Sequence, residues 1–168
     1  MSQATTSAES TMLLRYLNAQ REHILGILDD LDETALRCQV LPSGWSCLGL
    51  VRHLALDVER FWFRAVVAAD QTAIDDLPDN PWNIDAEISA PDVFDLYRQE
   101  IERANAIIAA TPLEAPPAWW PEGLFGDWKV ENLRQIILHV MTETATHAGH
   151  LDIVREQIDG RQWLVLTD

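Results

Sequence analysis

The chain of 168 residues sets 12 Lys plus Arg against 27 Asp plus Glu, for a formal net charge of -15, and 48% of it is hydrophobic. A chain of this length buries roughly two thirds of the surface it exposes when unfolded, so its core needs no disulfide or metal and disorder is not expected. A field of this sign repels phosphate backbones and anionic headgroups, and no basic patch offsets it, so neither nucleic acid nor a membrane is an expected partner.

Four segments repeat apolar residues at spacings of three and four, and none shows strand alternation closed by hairpin turns, which predicts an all-α fold. The first helix is expected over about 10–31, with Leu13, Leu17, Ile24, Leu28 and Leu31 on one stripe, ending at the acids Asp29 to Glu33. After a turn at Pro42-Ser43-Gly44, Ser46 is placed to cap a second helix over about 46–69, with Leu50, Leu54, Val58, Phe61 and Ala65 inward. A third helix over about 91–111 opens on Pro91 and turns Phe94, Tyr97, Ile101, Ala104 and Ile108 inward. The fourth, over about 132–158, forms a seam of Leu133, Ile137, Val140, Thr144, His147, Leu151, Val154 and Ile158, stopped by Gly160. Four such stripes satisfy one another in a four-helix bundle occupying 1–168 as one domain, with the tail Trp163-Leu164-Val165-Leu166 packed back on it. Two connections of about twenty residues, 70–90 and 112–131, are long enough for a crossover between helices two and three, giving an up-down-down-up order. The stretch 70–100 holds nine acids and one base, and it reads as a solvated surface. The connection containing Trp119, Trp120 and Trp128 suits either a pocket wall or a cap over the end of the bundle.

Three of the five histidines, His139, His147 and His150, fall in the fourth helix. Glu143 and His147 are four residues apart, hence stacked on one face, and His53 lies at the edge of the second stripe. Two imidazoles and a carboxylate leave coordination positions open, which suits zinc, iron(II) or another first-row divalent ion. Simple hydrogen bonding within a core is the competing reading of the same residues. Asp57 can accept from His53, but a solvent-facing acid beside Arg60 and Arg64 is the expected role. His139 and His150 are candidates to support the ligands from behind or to replace one of them, with plain helix packing for His139 and a surface position for His150 as the competing readings; His23 is assigned no role. Cys38 and Cys47 are expected as reduced, packed thiols. No P-loop surrounds the one lysine, Lys129, and no His-Glu-x-x-His, Gly-x-Ser-x-Gly, Gly-x-Gly-x-x-Gly or paired Glu-x-x-His motif occurs. The opening residues lack a basic region and an apolar run, so a cytoplasmic location is expected.

The string Leu50-Val51-Arg52-His53-Leu54-Ala55, followed by Glu59-Arg60-Phe61-Trp62, and the run from His139 through Glu143, His147 and His150 to Glu156 resemble the DinB-like metal-binding bundle family. They are most similar to its branch of small actinobacterial proteins related to the N-terminal domain of mycothiol-dependent maleylpyruvate isomerase. The resemblance implies an up-down-down-up bundle with His53, Glu143 and His147 on one divalent metal, zinc or nickel. It also implies a small-molecule thiol such as mycothiol and an electrophilic substrate as partners, joined by transferase or conjugation chemistry, with hydrolysis the lesser expectation. The chain leaves no room for the isomerase's additional C-terminal domain, so isomerisation of maleylpyruvate is not expected. The alternative is a non-catalytic metal-binding or stress-response bundle. Which residues are catalytic is open, and a homodimer is among the assemblies the sequence permits.

Overall fold

The computed structural model describes residues 7–163, and among them the regular structure is helical throughout. Helix α1 (Ala8–Ile27) starts where the Ser7 hydroxyl accepts from the Ser10 amide. It stops short of the expected Leu31 because Asp30 adopts a left-handed conformation, φ 65°, and Asp32 opens a further short helix, α2 (Glu33–Arg37), by accepting from the Ala35 amide. Arg155 binds the freed end, donating at 2.7 Å to both the Ile27 and the Asp29 carbonyl oxygens.

Ser46 caps α3 (Cys47–His53) through the Gly49 amide. At His53 the helix changes character rather than ending: Leu54–Val67 continues as a π-helix, with hydrogen bonds one residue longer than in α3. Eleven of those 14 residues are buried, far more than a stripe of every third or fourth residue supplies. This stretch is buried nearly all round, Asp57, Arg60 and Arg64 alone staying half-buried, and it sits at the centre, against α5 (Ala90–Ala110) on one side and α6 (Leu133–Asp159) on another. Ser89 and Asp92 close a capping box on α5. Asn132 caps α6, and Gly160, at φ 77°, ends it in the left-handed conformation that glycine adopts without strain. A short helix, α4 (Gln71–Asp75), lies within the first long connection.

One apolar cluster joins the helices, with α1 packed along α6 and the α3–π helix along α5. Charges tie the same elements together inside it. Arg21 of α1 grips Glu59 of the π-helix through two nitrogens at 2.7 and 2.6 Å and also donates to Asn18 and Asn105. Glu100 of α5, fully buried, accepts from Arg60, Arg64 and Arg103. Glu100 thus departs from the solvated reading of 70–100, because three guanidinium groups replace the water it loses. Trp163 lies against Gly26 and stacks on His23, ring centres 5.0 Å apart. The expectation for Leu164 to Leu166 falls outside the described residues. No described helix is long and apolar enough to cross a membrane.

Candidate metal centre

His53, at the last α-helical position before the π-helix, faces Glu143 and His147, one turn apart on α6. One ligand-capable atom of each lies within 4.8 Å of the others. The Glu143 Oε1 is 3.3 Å from His147 Nε2, and the rings of His53 and His147 meet edge to face at 5.1 Å. Both imidazoles are nearly enclosed, while the Glu143 carboxyl is 40% exposed, so the cluster meets solvent at its anionic member.

The His53 ring is fixed on two sides. Its Nδ1 lies 2.8 Å from the Asp57 carboxylate, and Trp82 stacks on its face at 4.3 Å and 18°. Asp57, a third exposed, meets solvent as expected but also serves His53, whereas Arg60 and Arg64 turn to Asp70, Asp76 and Glu100. With Nδ1 donating to Asp57, the Nε2 of His53 carries a lone pair, yet it is buried without a hydrogen-bond partner. A buried acceptor left bare is uncommon and costly. It is satisfied if a cation sits between it and the other two ligands, so the donor set fits a divalent metal.

Burial and the neighbouring His53 push the His147 pKa down, which keeps that imidazole neutral and able to donate a lone pair. His150, exposed, approaches His147 with Nδ1 to Nδ1 at 3.5 Å and lies near Trp45. His139 sits one turn before Glu143, between Trp62 and Trp128, with its pKa lowered by burial.

The second long connection supplies the wall beside the cluster. The Ala118 and Trp119 amides both donate to the Val66 carbonyl oxygen at the end of the π-helix, and Trp120, Phe125 and Trp128 then surround Trp62. A cavity of about 410 Å³ results, lined by Phe61, Trp62, Leu124, Phe125 and His139 together with His53, Asp57 and Glu143. Of the two roles left open for this connection, Leu124 and Phe125 take that of a pocket wall.

Trp82 carries no signal in the sequence. It reaches His53 because Arg52 donates to the Pro81 and Asn83 carbonyl oxygens at 3.0 and 2.8 Å, clamping that loop to α3. Gly49 permits the approach, since a Cβ there would stand 2.5 Å from the Trp82 carbonyl oxygen. The thiols divide: Cys47 is buried, as expected, but Cys38 is exposed. Burial pushes Cys47 up to about 11, against the lowering that a helix N-terminus alone would bring.

No curated protein matches the chain. No solved structure matches it either. The model of the family described as Mycothiol-S-transferase matches residues 12–160, a span that runs from α1 to Gly160 and contains every residue of the cluster. The chain belongs to this DinB-like family of mycothiol S-transferases.

Proposed function

We propose that the protein joins mycothiol, or a similar low-molecular-weight thiol, to an electrophile at a divalent metal held by His53, Glu143 and His147. The observation that carries this reading is the bare, buried Nε2 of His53, aimed at two further ligand groups while Asp57 occupies its other nitrogen. Two neutral nitrogens and one carboxylate suit zinc first, with nickel and iron(II) as alternatives, and leave room for a sulfur ligand. When bound, a cation with this donor set favours thiolate over thiol and so supplies a nucleophile near neutral pH. Asp57 holds the His53 tautomer, Trp82 holds the ring plane, and the aromatic wall keeps water from one side of the cluster. The matched family supports the thiol as co-substrate.

The same reading takes 1–168 as one domain and the long helices as an up-down-down-up bundle with the crossover between α3–π and α5. The pairing of α1 with α6 and of the π-helix with α5 supports that order.

Metal content after purification without a nickel column tests the site: one equivalent is expected in the wild type and little in His53→Ala or His147→Ala. Equal content in all three would sink it. Titrating mycothiol into cobalt(II)-loaded protein tests the chemistry, since sulfur ligation adds a charge-transfer band. A loaded protein whose spectrum ignores the thiol is instead a non-catalytic metal-binding bundle.

A further inference from the structure

Two loops meet beside the cluster and enclose a second recess of about 410 Å³. One brings Gln39, Ser43 and Trp45 to it, and the other brings Asn80, Trp82 and Asn83. Each loop is held by hydrogen bonds of its own. Gly44, at φ 78°, donates to the Leu41 carbonyl oxygen at 3.0 Å and closes the first turn. In the second loop the Asn80 side chain accepts from the Trp82 amide at 3.1 Å, and Arg52 grips the carbonyl oxygens of Pro81 and Asn83 on either side of Trp82. The walls of the recess are therefore set before a guest enters.

Its lining is uncharged throughout, in a chain of which 23% is charged, so it recognises by hydrogen bonds and contact. An amide and a hydroxyl each donate and accept, and an indole N–H donates. Gln39, Ser43, Asn80 and Asn83 are exposed, and can exchange bonds to water for bonds to a guest. Trp45 and Trp82 are half-buried and keep ring surface for contact. Paired donor and acceptor capacity is what every hydroxyl of a polyol presents, and the C–H bonds of its ring suit the negative face of an indole.

The recess shares its walls with the cluster. Trp82 stacks on His53 at 4.3 Å and lies 5.8 Å from His147. Trp45 lies 6.4 Å from His150, itself 5.4 Å from His147. The cavity of Phe61 and Trp62 has no lining residue in common with this recess, so two separate spaces flank the cluster.

We propose that the recess binds the uncharged polyol end of the thiol co-substrate. A ring of the polyol lies against Trp45 and Trp82, its hydroxyls bond Gln39, Ser43, Asn80 and Asn83, and the thiol arm extends past Trp82 toward His53 and His147. This assignment rests on the thiol-transfer reading above and adds to it the part of the thiol that the chain recognises. Mycothiol meets the requirement, since its cysteine is carried on a neutral glucosaminyl-inositol.

The test is a heteronuclear NMR titration with mycothiol in which alanine replaces the cysteine, run on zinc-free and zinc-loaded protein with zinc content measured on each. The side-chain amide signals of Gln39, Asn80 and Asn83 and the indole signals of Trp45 and Trp82 are expected to move in both samples, because the probe has no sulfur to give a metal. N-acetylalaninamide, which lacks the polyol, is expected to leave them still. Gln39→Ala and Asn83→Ala, at exposed positions, are each expected to weaken the probe about two- to tenfold, the range of one uncharged hydrogen bond, with zinc content unchanged. Absence of binding, binding that leaves those signals still, or an affinity that neither variant changes overturns the assignment. Zinc uptake beside a silent recess overturns this inference alone. Signals that move in a protein that takes no zinc support the recess and sink only the metal chemistry.

Discussion

The carboxylate of Asp57 decides which nitrogen of His53 faces Glu143 and His147. Replacing it with Ala leaves the imidazole free to change tautomer and turn, and loss of such an outer partner lowers metal affinity by about 10- to 100-fold. Competition against a chelator of known affinity measures this, and an unchanged constant would remove Asp57 from the site. The cysteines provide an independent check on packing. Cys38 is exposed and Cys47 enclosed, so a thiol reagent should modify one equivalent quickly in folded protein and the second only in denaturant. The Cys47 thiol, pushed up to about 11 by burial, must ionise on unfolding in alkaline solution. Its contribution to stability is complete below the unfolded value of about 8.5 and is lost as pH climbs toward 11. Urea midpoints of wild type and Cys47→Ala should therefore converge over that window; a constant gap would contradict the burial.

Among the elements, the long helices are legible because the buried Leu13, Leu17 and Ile24 of α1, and Leu133, Ile137, Val140, Leu151 and Val154 of α6, keep helical spacing. The π-helix is not legible. Over the 14 residues of Leu54–Val67 the apolar spacing of three and four suits a helix of either kind, so it does not distinguish a bond to the fourth residue from a bond to the fifth. The buried ions escape notice for a different reason: Arg21 and Glu59 are 38 residues apart, and nothing local pairs them. Removing one partner strands the other in the core, so Glu59→Ala should cost about 3–5 kcal/mol in urea unfolding, whereas replacing both by apolar residues should cost much less. The cluster itself lies between these cases. The spacing of Glu143 and His147 and the place of His53 at the edge of the second stripe are visible in the sequence, and the resemblance joins them, but Trp82 arrives through a loop clamped by Arg52. Gly49→Ala tests that clamp: the added methyl must push the 81–83 backbone away, and the His53 ring should show altered chemical shifts while α3 keeps its helicity.

For the molecule as a whole, the charge of -15 understates the asymmetry of the surface. Arg21 and Arg155 are sealed in the interior, and Arg60 and Arg64 turn inward to Glu100, so fewer of the twelve bases remain outside to offset the acids. Self-repulsion of this kind weakens as salt shortens the Debye length to about 8 Å at physiological ionic strength. The melting temperature should rise when a low-salt sample is brought to that ionic strength, as scanning calorimetry can measure; a fall would mean that exposed ion pairs such as Arg134 with Glu9 outweigh the repulsion.

The stack of Trp82 on His53 also makes the protein its own optical instrument. If His53 holds a paramagnetic ion as proposed, an indole 4.3 Å from its imidazole lies well within quenching range of that ion. Cobalt(II) or nickel(II) would then darken Trp82 preferentially among the seven tryptophans, and zinc would not. Tryptophan emission could follow the arrival of the ion in real time, without a label, and a Trp82→Phe protein would supply the blank.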